Sequence, residues 1–323
     1  MQTNFNKQEY LVSAIISIYN CERFISGCLE NLEKQTISNR IEIIAVNSGS
    51  QQNEKKIIHE YQNKYNNIKY IETKERESIY KAWNRGIKVA SGKYITNANS
   101  DDRYRKDALE IMTTKLDENI NISLVYINQI VTETENQSFD RHTPIHYYKL
   151  RSTISVEDLL FSKPPHCGSQ TMWRKNLHDI YGYFNENMEI AGDFEFWLRI
   201  ADKCALINID EYLGLYFYSP NSAANKDWAK VKEEEVKIRS DYLSFIKGHK
   251  RIFNKMKIKL SLDCADLGNY LLMHGSSASA RHYFIKGVRF SPFVIDNYRL
   301  LIASYLPYST HLFLRRFKGA LFG

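Results

Sequence analysis

The chain has 323 residues, 43% apolar and 25% charged, the balance of an ordinary globular protein with room for a large core and about two domains. Five scattered cysteines (Cys21, Cys28, Cys167, Cys204, Cys264) include no CxxC pair, so neither a zinc knuckle nor a disulfide framework is indicated, and a reducing cytoplasm fits best. The formal charge of +7 is uneven: residues 247–323 hold 13 Lys/Arg and 3 Asp/Glu, a balance of +10, so the remainder carries +7 − 10 = −3.

Residues 1–9 are polar, without the apolar centre of a signal peptide, and no apolar run reaches the ~18 residues of a membrane span. Tyrosine is abundant at 22 residues. That abundance suits sugar and base contacts, or reflects compositional bias.

Residues 12–18 (Val-Ser-Ala-Ile-Ile-Ser-Ile) predict a buried strand. A helix follows with Phe24, Ile25, Cys28, Leu29 and Leu32 on one face. Residues 41–46 predict a second strand, closed by Asn47-Ser48-Gly49-Ser50. Residues 54–65 predict a polar helix, 68–72 a third strand, and 78–90 a helix ended by Ser91-Gly92. A fourth strand at 94–97 and a helix at 106–116 follow. This β-α-β-α-β-α-β alternation predicts an α/β fold with a doubly wound, mostly parallel sheet flanked by helices.

Residues 124–130 continue the sheet. Residues 134–168 are polar and carry Pro144, Pro164 and Pro165; they predict a long excursion with a short helix at 156–161. The chain returns to the sheet at 171–174, a helix runs from Gly192 to Ala201, and strands follow at 205–209 and 213–218. From Asp227 the chain predicts helix, broken near Gly275 and Pro292. The domain organisation is therefore 1–225 for the sheet and 226–323 for a basic helical C-terminal region.

The run from Gly92 to Asp102 is the most informative: a short apolar strand leads into Asp101 and Asp102. Acids just past a strand's carboxyl end sit in the crevice where open α/β sheets bind ligands. Adjacent carboxylates repel, and a divalent cation that also contacts a diphosphate relieves the repulsion. A solvated helix start is the competing account. Asn47 and Ser48 end the second strand on the same edge and suit a base or ribose, or an ordinary turn. Tyr19 ends the first strand, placed to stack on a base, and Asn20 either fixes the turn or caps the next helix. Arg85 is a phosphate ligand or a surface cation. Asp193 starts a helix whose Phe194, Trp197 and Leu198 share an inward face; it is a general base or an N-cap. His166, after Pro164-Pro165, is a candidate for an acceptor pocket or a metal shell.

These pieces occur in a shared order. The chain resembles the inverting family-2 glycosyltransferases of the GT-A fold over about residues 10–220. The matching stretches are Val12-Ser-Ala-Ile-Ile-Ser-Ile-Tyr-Asn20, Gln35-Thr36, Glu42-Ile-Ile-Ala-Val-Asn-Ser-Gly-Ser50, Ala82-Trp-Asn-Arg-Gly-Ile87, Ala90-Ser-Gly-Lys-Tyr-Ile95 and Asn99-Ser-Asp-Asp102. Met172-Trp-Arg-Lys175, Gly182-Tyr-Phe184 and Gly192-Asp-Phe-Glu-Phe-Trp-Leu-Arg199 complete the set.

The resemblance implies that Tyr19, Asn47 and Ser48 lie around the nucleotide's base and ribose, with Asn20, Arg85 and Ser100 also among the nucleotide-binding residues. Asn99 and Asp101 occupy the two ends of the D-x-D motif, and Asp102 follows. Mg²⁺ or Mn²⁺ is held mainly by Asp101, with Asp102, and Asp193 stands at the place of the catalytic base. The implied donor is a nucleoside-diphosphate sugar, a UDP-sugar first. The acceptor is a hydroxyl of a glycan or lipid-linked glycan, as in bacterial surface polysaccharide assembly.

Three departures stand out. Asn47 and Ser48 replace the two acids of the usual D-D-G-S, Asn99 replaces the first acid of D-x-D, and residues 218–222 lack the histidine common after the last core strand. The asparagines leave open a non-catalytic nucleotide- or glycan-binding module. A nucleotidyltransferase is disfavoured, because Tyr19-Asn20-Cys21-Glu22 stands where a Gly-rich basic loop is needed. No nucleic-acid motif accompanies the basic tail. Residues 305–323, with Arg315, Arg316 and Lys318 among aromatics and leucines, suit an interfacial helix near anionic lipid or a packed helix with a basic outer face.

Overall fold

The apolar run at 12–18 forms β1 (Val12–Ile18), almost wholly buried, as a central strand covered on both faces requires. The computed structural model describes residues 10–162 and 167–306. After β1 come α1 (Glu22–Glu33), β2 (Ile41–Ser48), α2 (Glu54–Gln62), β3 (Ile68–Thr73), α3 (Ile79–Val89) and β4 (Tyr94–Asn97). β2 and β4 pair with β1, and β3 with β2, all in parallel. The spatial order β3-β2-β1-β4 means that the chain winds outward on one side of β1 and then crosses to the other. The gap between the carboxyl ends of β1 and β4 is thus a topological switch point, where such sheets bind ligands.

The second half of the sheet is mixed. It contains β5 (Arg103–Tyr104), α4 (Ala108–Glu118), β6 (Ile122–Thr132), β7 (His146–Tyr148), α5 (Val156–Phe161), β8 (Thr171–Arg174), α6 (Leu177–Tyr181), α7 (Gly192–Ile200) and β9 (Ala205–Phe217). β8 lies antiparallel between β4 and β6, β9 runs parallel to β6, and β5 and β7 pair antiparallel at the margins. The sequence suggests two strands across 205–218. The chain forms one, because register shifts against β6 between Ile127 and Gln129 absorb the extra residues.

Ile25, Leu29 and Leu32 of α1, Ile58 of α2, and Leu109 and Met112 of α4 join Ala14, Ile16 and Ile18 of β1 in one buried apolar cluster. α3 covers the opposite face, where Gly86 meets Ile15. Two periodicities in the sequence, 2 for the strands and 3.6 for the helices, are thereby satisfied at once.

The chain divides into two units between Ser222 and Ala223. The second contains α8 (Ala223–Lys226), α9 (Trp228–Tyr242), α10 (Lys250–Met273), α11 (Ser277–Phe290) and α12 (Ile295–Ala303). The breaks read at Gly275 and Pro292 occur, and a further one at 243–249 ends α9. α10 and α11 pack as a hairpin through Leu272, Ala280 and Phe284. Among the described residues no helix is long and apolar enough to cross a membrane.

Candidate active site

The loops leaving β1, β2 and β3 are laced together at the carboxyl edge. Asn20 sits in the left-handed region at φ 50°. Its Oδ1 accepts the Gln51 N–H at 2.9 Å, and its own N–H donates to Ser50 Oγ at 2.9 Å. The N-cap of α1 is Cys21, not Asn20, and its N–H donates to Glu54 Oε1 at 2.6 Å. The start of α2 therefore serves an orphan donor at the start of α1.

Asn47 Oδ1 accepts the Ser50 N–H at 2.9 Å while its Nδ2 donates to the Tyr70 hydroxyl at 2.9 Å. Gly49, at φ 66°, passes so close to the β3–α3 loop that a Cβ would stand 2.9 Å from the Glu75 carbonyl carbon. Ser48 is 1% exposed, and its hydroxyl has no hydrogen-bond partner. Arg76 lies over the ring of Tyr19, its guanidinium carbon 4.3 Å from the centroid. A cation and an aromatic face are thus presented together at the mouth of β1.

The acid pair divides its labour. Asp102 is buried, and both its oxygens are engaged. Oδ1 accepts the Phe217 N–H at 3.0 Å; Oδ2 accepts Asn99 Nδ2 at 3.0 Å and Ser169 Oγ at 2.9 Å. Burial and then the charge of Asp101 push its carboxyl up to about 7. Asp101 has no such set of donors; burial raises its pKa too, while Arg103 and Arg23 pull the other way. Arg103 clamps the loop from beneath. It donates to the carbonyls of Ser100 at 2.8 Å and Asp102 at 2.7 Å, and to Asn136 Oδ1 at 3.0 Å. Ser100 comes close to the Cys21 thiol, which brings this loop beside the one after β1. The sequence reading gives both acids to a metal; the geometry leaves Asp101 the less committed carboxylate and uses Asp102 to tie three segments together.

Asp193 is the second residue of α7, whose N-cap is Ala191. Its Oδ1 accepts the Phe194 N–H at 2.8 Å and lies 3.1 Å from the Tyr80 hydroxyl. The single phenolic proton of Tyr80 has a nearer acceptor in the Ile190 carbonyl, at 2.5 Å. Burial, then the charge of Asp193, drives that phenol far above its ordinary range, so it stays a neutral donor.

An aromatic cluster fixes this end of α7. Tyr80 and Trp83 of α3 meet Phe184, which in turn packs on Trp173, Phe196 and Trp197. Buried Asn84 clasps Phe184 through both its N–H and its carbonyl, at 3.0 and 2.9 Å. All of these aromatics except Tyr80 belong to the motifs quoted above.

One short step of chain links the two acidic places. The Cys167 thiol is pushed up by burial and then by the charge of Asp193, while Ser169 donates to Asp102. Gly168 between them turns the chain at φ 69°, and two residues span at most about 7 Å. Asp193 and the loop after β4 thus both lie near the segment leading into β8. Tyr216 of β9 completes the surround: burial and the charges of Asp102 and Asp101 raise its hydroxyl.

Arg85 is engaged within the fold. Its guanidinium forks onto Glu77 at 2.6 and 2.7 Å, so its charge is already matched. His166 and residues 307–323 lie outside the described residues. Arg76, Arg103, Tyr80 and Ser169 were missed by sequence reasoning; only Arg103, next to the acids, carried a local signal. An open depression lined by Ser91, Gly92, Lys93, Arg174 and Lys175 lies at the opposite, amino-terminal end of β4. Its cations are spent within the fold, Lys93 on Asp117 and Lys175 on the Ala90 carbonyl.

Residues 13–181, more than half of the chain, match the model of Glycosyl transferase family 2, and the chain belongs to that family. It is a glycosyltransferase. Chondroitin synthase of Escherichia coli is 26% identical over 238 residues, 74% of this chain and 33% of that protein, so the chain spans about a third of that relative. The crystal structure of S. aureus TarS 1-349 in complex with UDP-GlcNAc is similar with a TM-score of 0.59 at 17% identity, covering 91% of this chain and 89% of that one. Mannosyltransferase PcManGT from Pyrobaculum calidifontis, in complex with GDP-Man and Mn²⁺, gives 0.57 at 13% identity, covering 91% and 85%. At these identities the likeness to the two structures is one of fold, and the fold they share is the GT-A type.

Proposed function

We propose that this glycosyltransferase moves a sugar from a nucleoside-diphosphate donor, a UDP-sugar first, to a hydroxyl of a glycan or lipid-linked glycan by single inverting displacement. What supports the reading is that Asp193 acts electrostatically on Cys167 while Ser169, two residues on, hydrogen-bonds Asp102 in the Asp101 loop. The complexes of TarS with UDP-GlcNAc and of PcManGT with GDP-Man support the donor class. The name of the chondroitin synthase relative supports a growing glycan as acceptor.

In this reading Tyr19, Arg76, Asn47 and Ser48 hold the base and ribose, with Asn20 and Ser50 keeping that mouth in shape. Ser48 keeps a buried hydroxyl without a hydrogen-bond partner, which a ligand entering this mouth would satisfy. Asp193 takes the proton of the acceptor hydroxyl. That oxygen's electron pair forms the new bond to the anomeric carbon from the face opposite the leaving group. The bond from that carbon to the diphosphate breaks, its pair leaves with the nucleoside diphosphate, and the configuration inverts.

The residues fit a hard divalent cation. Asp101 and the amide oxygen of Asn99 are oxygen ligands, and two carboxyls with raised pKa values mark a place short of positive charge. Asp101 would hold Mg²⁺ or Mn²⁺, with Asn99 beside it, and the bound ion would offset charge growing on the departing diphosphate. The proposed setting is the cytoplasm, in keeping with five unpaired cysteines.

The test is a screen of UDP- and GDP-sugars with Mn²⁺ and Mg²⁺, scored by diphosphate release, on the wild type and Asp101→Asn. The reading requires metal-dependent release from at least one donor and its collapse in the variant. Release that is indifferent to the metal and to Asp101 contradicts it.

A further inference from the structure

α12 is built with its apolar side outward. Its fully buried residue is polar: Asn297 donates through Nδ2 to the carbonyl and the hydroxyl of Ser261, both at 2.9 Å. Leu300 and Leu301 are only partly buried, against the α10–α11 hairpin. The large side chains of the other face stand in water. Ile302 is 74% exposed, Ile295 68% and Tyr305 69%, with Tyr298 at 39%; Phe293, in the turn before, is 89% exposed. Positions 295, 298, 302 and 305 step by three, four and three, which is one face of a helix. Scattered exposed hydrophobics need no explanation, but a contiguous stripe marks a surface that something covers.

Charge selects the occupant. Residues 277–306 carry four cations (Arg281, Lys286, Arg289, Arg299) and one acid, Asp296, a balance of 4 − 1 = +3. Arg299 on α12 and Arg289 in the last turn of α11 are exposed, and Arg281 lies over the Tyr305 ring at 4.9 Å. The next 17 residues, 307–323, add Arg315, Arg316 and Lys318 and no acid. A second copy of this face would set cations against cations, with one acid to answer them. Anionic headgroups over an acyl interior meet both the cations and the stripe. Tyrosine and phenylalanine suit the boundary between the two.

We propose that the outer face of α12, with Phe293 and the flanking arginines, docks on an anionic lipid surface. This inference is independent of the proposed reaction. The test is flotation of the full chain with vesicles rich in phosphatidylglycerol and with vesicles of pure phosphatidylcholine. The comparison variant is the Ile295→Ser, Ile302→Ser double variant. Both positions are exposed, so the melting temperature should hold while apolar insertion is lost.

The expected result is flotation with the anionic vesicles alone, weakened by added salt, and about tenfold or more weaker in the double variant. Failure of the wild type to float with anionic vesicles overturns the proposal, as does equal flotation of the variant. A wild-type dimer that the variant converts to monomer assigns the face to a second copy and overturns it too.

Discussion

The Asp102 carboxylate accepts the backbone N–H of Phe217 at 3.0 Å, across 115 positions of sequence. Through the other oxygen it takes Ser169, 67 positions away. One side chain therefore joins the loop after β4, the approach to β8 and the end of β9. Its neighbour Asp101 makes no comparable set of contacts. Two adjacent acids of equal appearance in the sequence have different duties in the fold.

That difference is measurable. Asp102→Asn turns an amide N–H₂ toward at least one buried donor, so it should cost about 1–3 kcal/mol of stability. Asp101→Asn removes a carboxylate that burial already disfavours, so it should leave the melting temperature unchanged or slightly raised while activity falls. Thermal melts of the two variants beside the wild type decide the matter. Equal destabilisation of both would refute the division.

Gly192 carries the placement of Asp193. A Cβ there would stand 2.7 Å from ring atoms of Tyr80, which is 3% exposed and hemmed in by Trp83 and Phe184. Gly192→Ala should therefore cost about 1–3 kcal/mol through overpacking. It should also lower kcat by more than tenfold, because a displacement near 1 Å at the base is felt in the rate. Wild-type turnover in Gly192→Ala would mean that the Tyr80–Asp193 geometry is not needed.

Arg76 and Arg85 should behave oppositely. Arg76 stacks on Tyr19 and is exposed; Arg76→Ala should raise the donor KM or the UDP Kd roughly tenfold with kcat little changed. Arg85 is matched by Glu77, and Arg85→Ala should leave donor binding within about twofold. Titration of each variant with UDP by calorimetry gives the comparison, and a reversal of the order would return the phosphate role to Arg85.

His178 sets an acid limit on stability. Trp173 Nε1–H donates to its Nε2 at 2.9 Å, so the proton sits on Nδ1, which faces the Gly182 carbonyl at 3.1 Å. Burial pushes its pKa down to about 4, against about 6.5 in an unfolded chain. Between those values the unfolded chain binds a proton that the fold refuses, so stability falls as pH drops through the window, by up to about 3 kcal/mol. His178→Gln keeps an acceptor for Trp173 and removes the titration. Melting temperatures taken from about pH 7 down to about pH 4 should show a shallower decline in the variant; identical slopes would place the acid sensitivity elsewhere.

Much of the fold is legible because strands and helices announce themselves locally. β1, β4, β8 and α5 follow from short apolar runs and from the Ser155–Asp158 capping box, which satisfies both orphan donors within four residues. The loops after β1, β2 and β4 could be assigned to one edge because parallel strands put successive carboxyl ends together. What escaped is non-local. The burial of Asp102 depends on Ser169 and Phe217, neither of which resembles a partner in sequence. The Arg76–Tyr19 stack crosses from the β3 loop to the β1 loop, and of the two roles open to Asn20 the fold takes the turn, through a left-handed backbone that also laces in the loop after β2. β9 merges two strand-like runs because its register is set by β6, not by its own pattern.

The central claim is that Asp193 activates the acceptor and does not hold the donor. Asp193→Asn is the direct measurement: UDP affinity by calorimetry and turnover by diphosphate release on the same preparation. The account predicts unchanged UDP binding and a kcat lower by about 10²–10⁴. Turnover within a few-fold of wild type would contradict it.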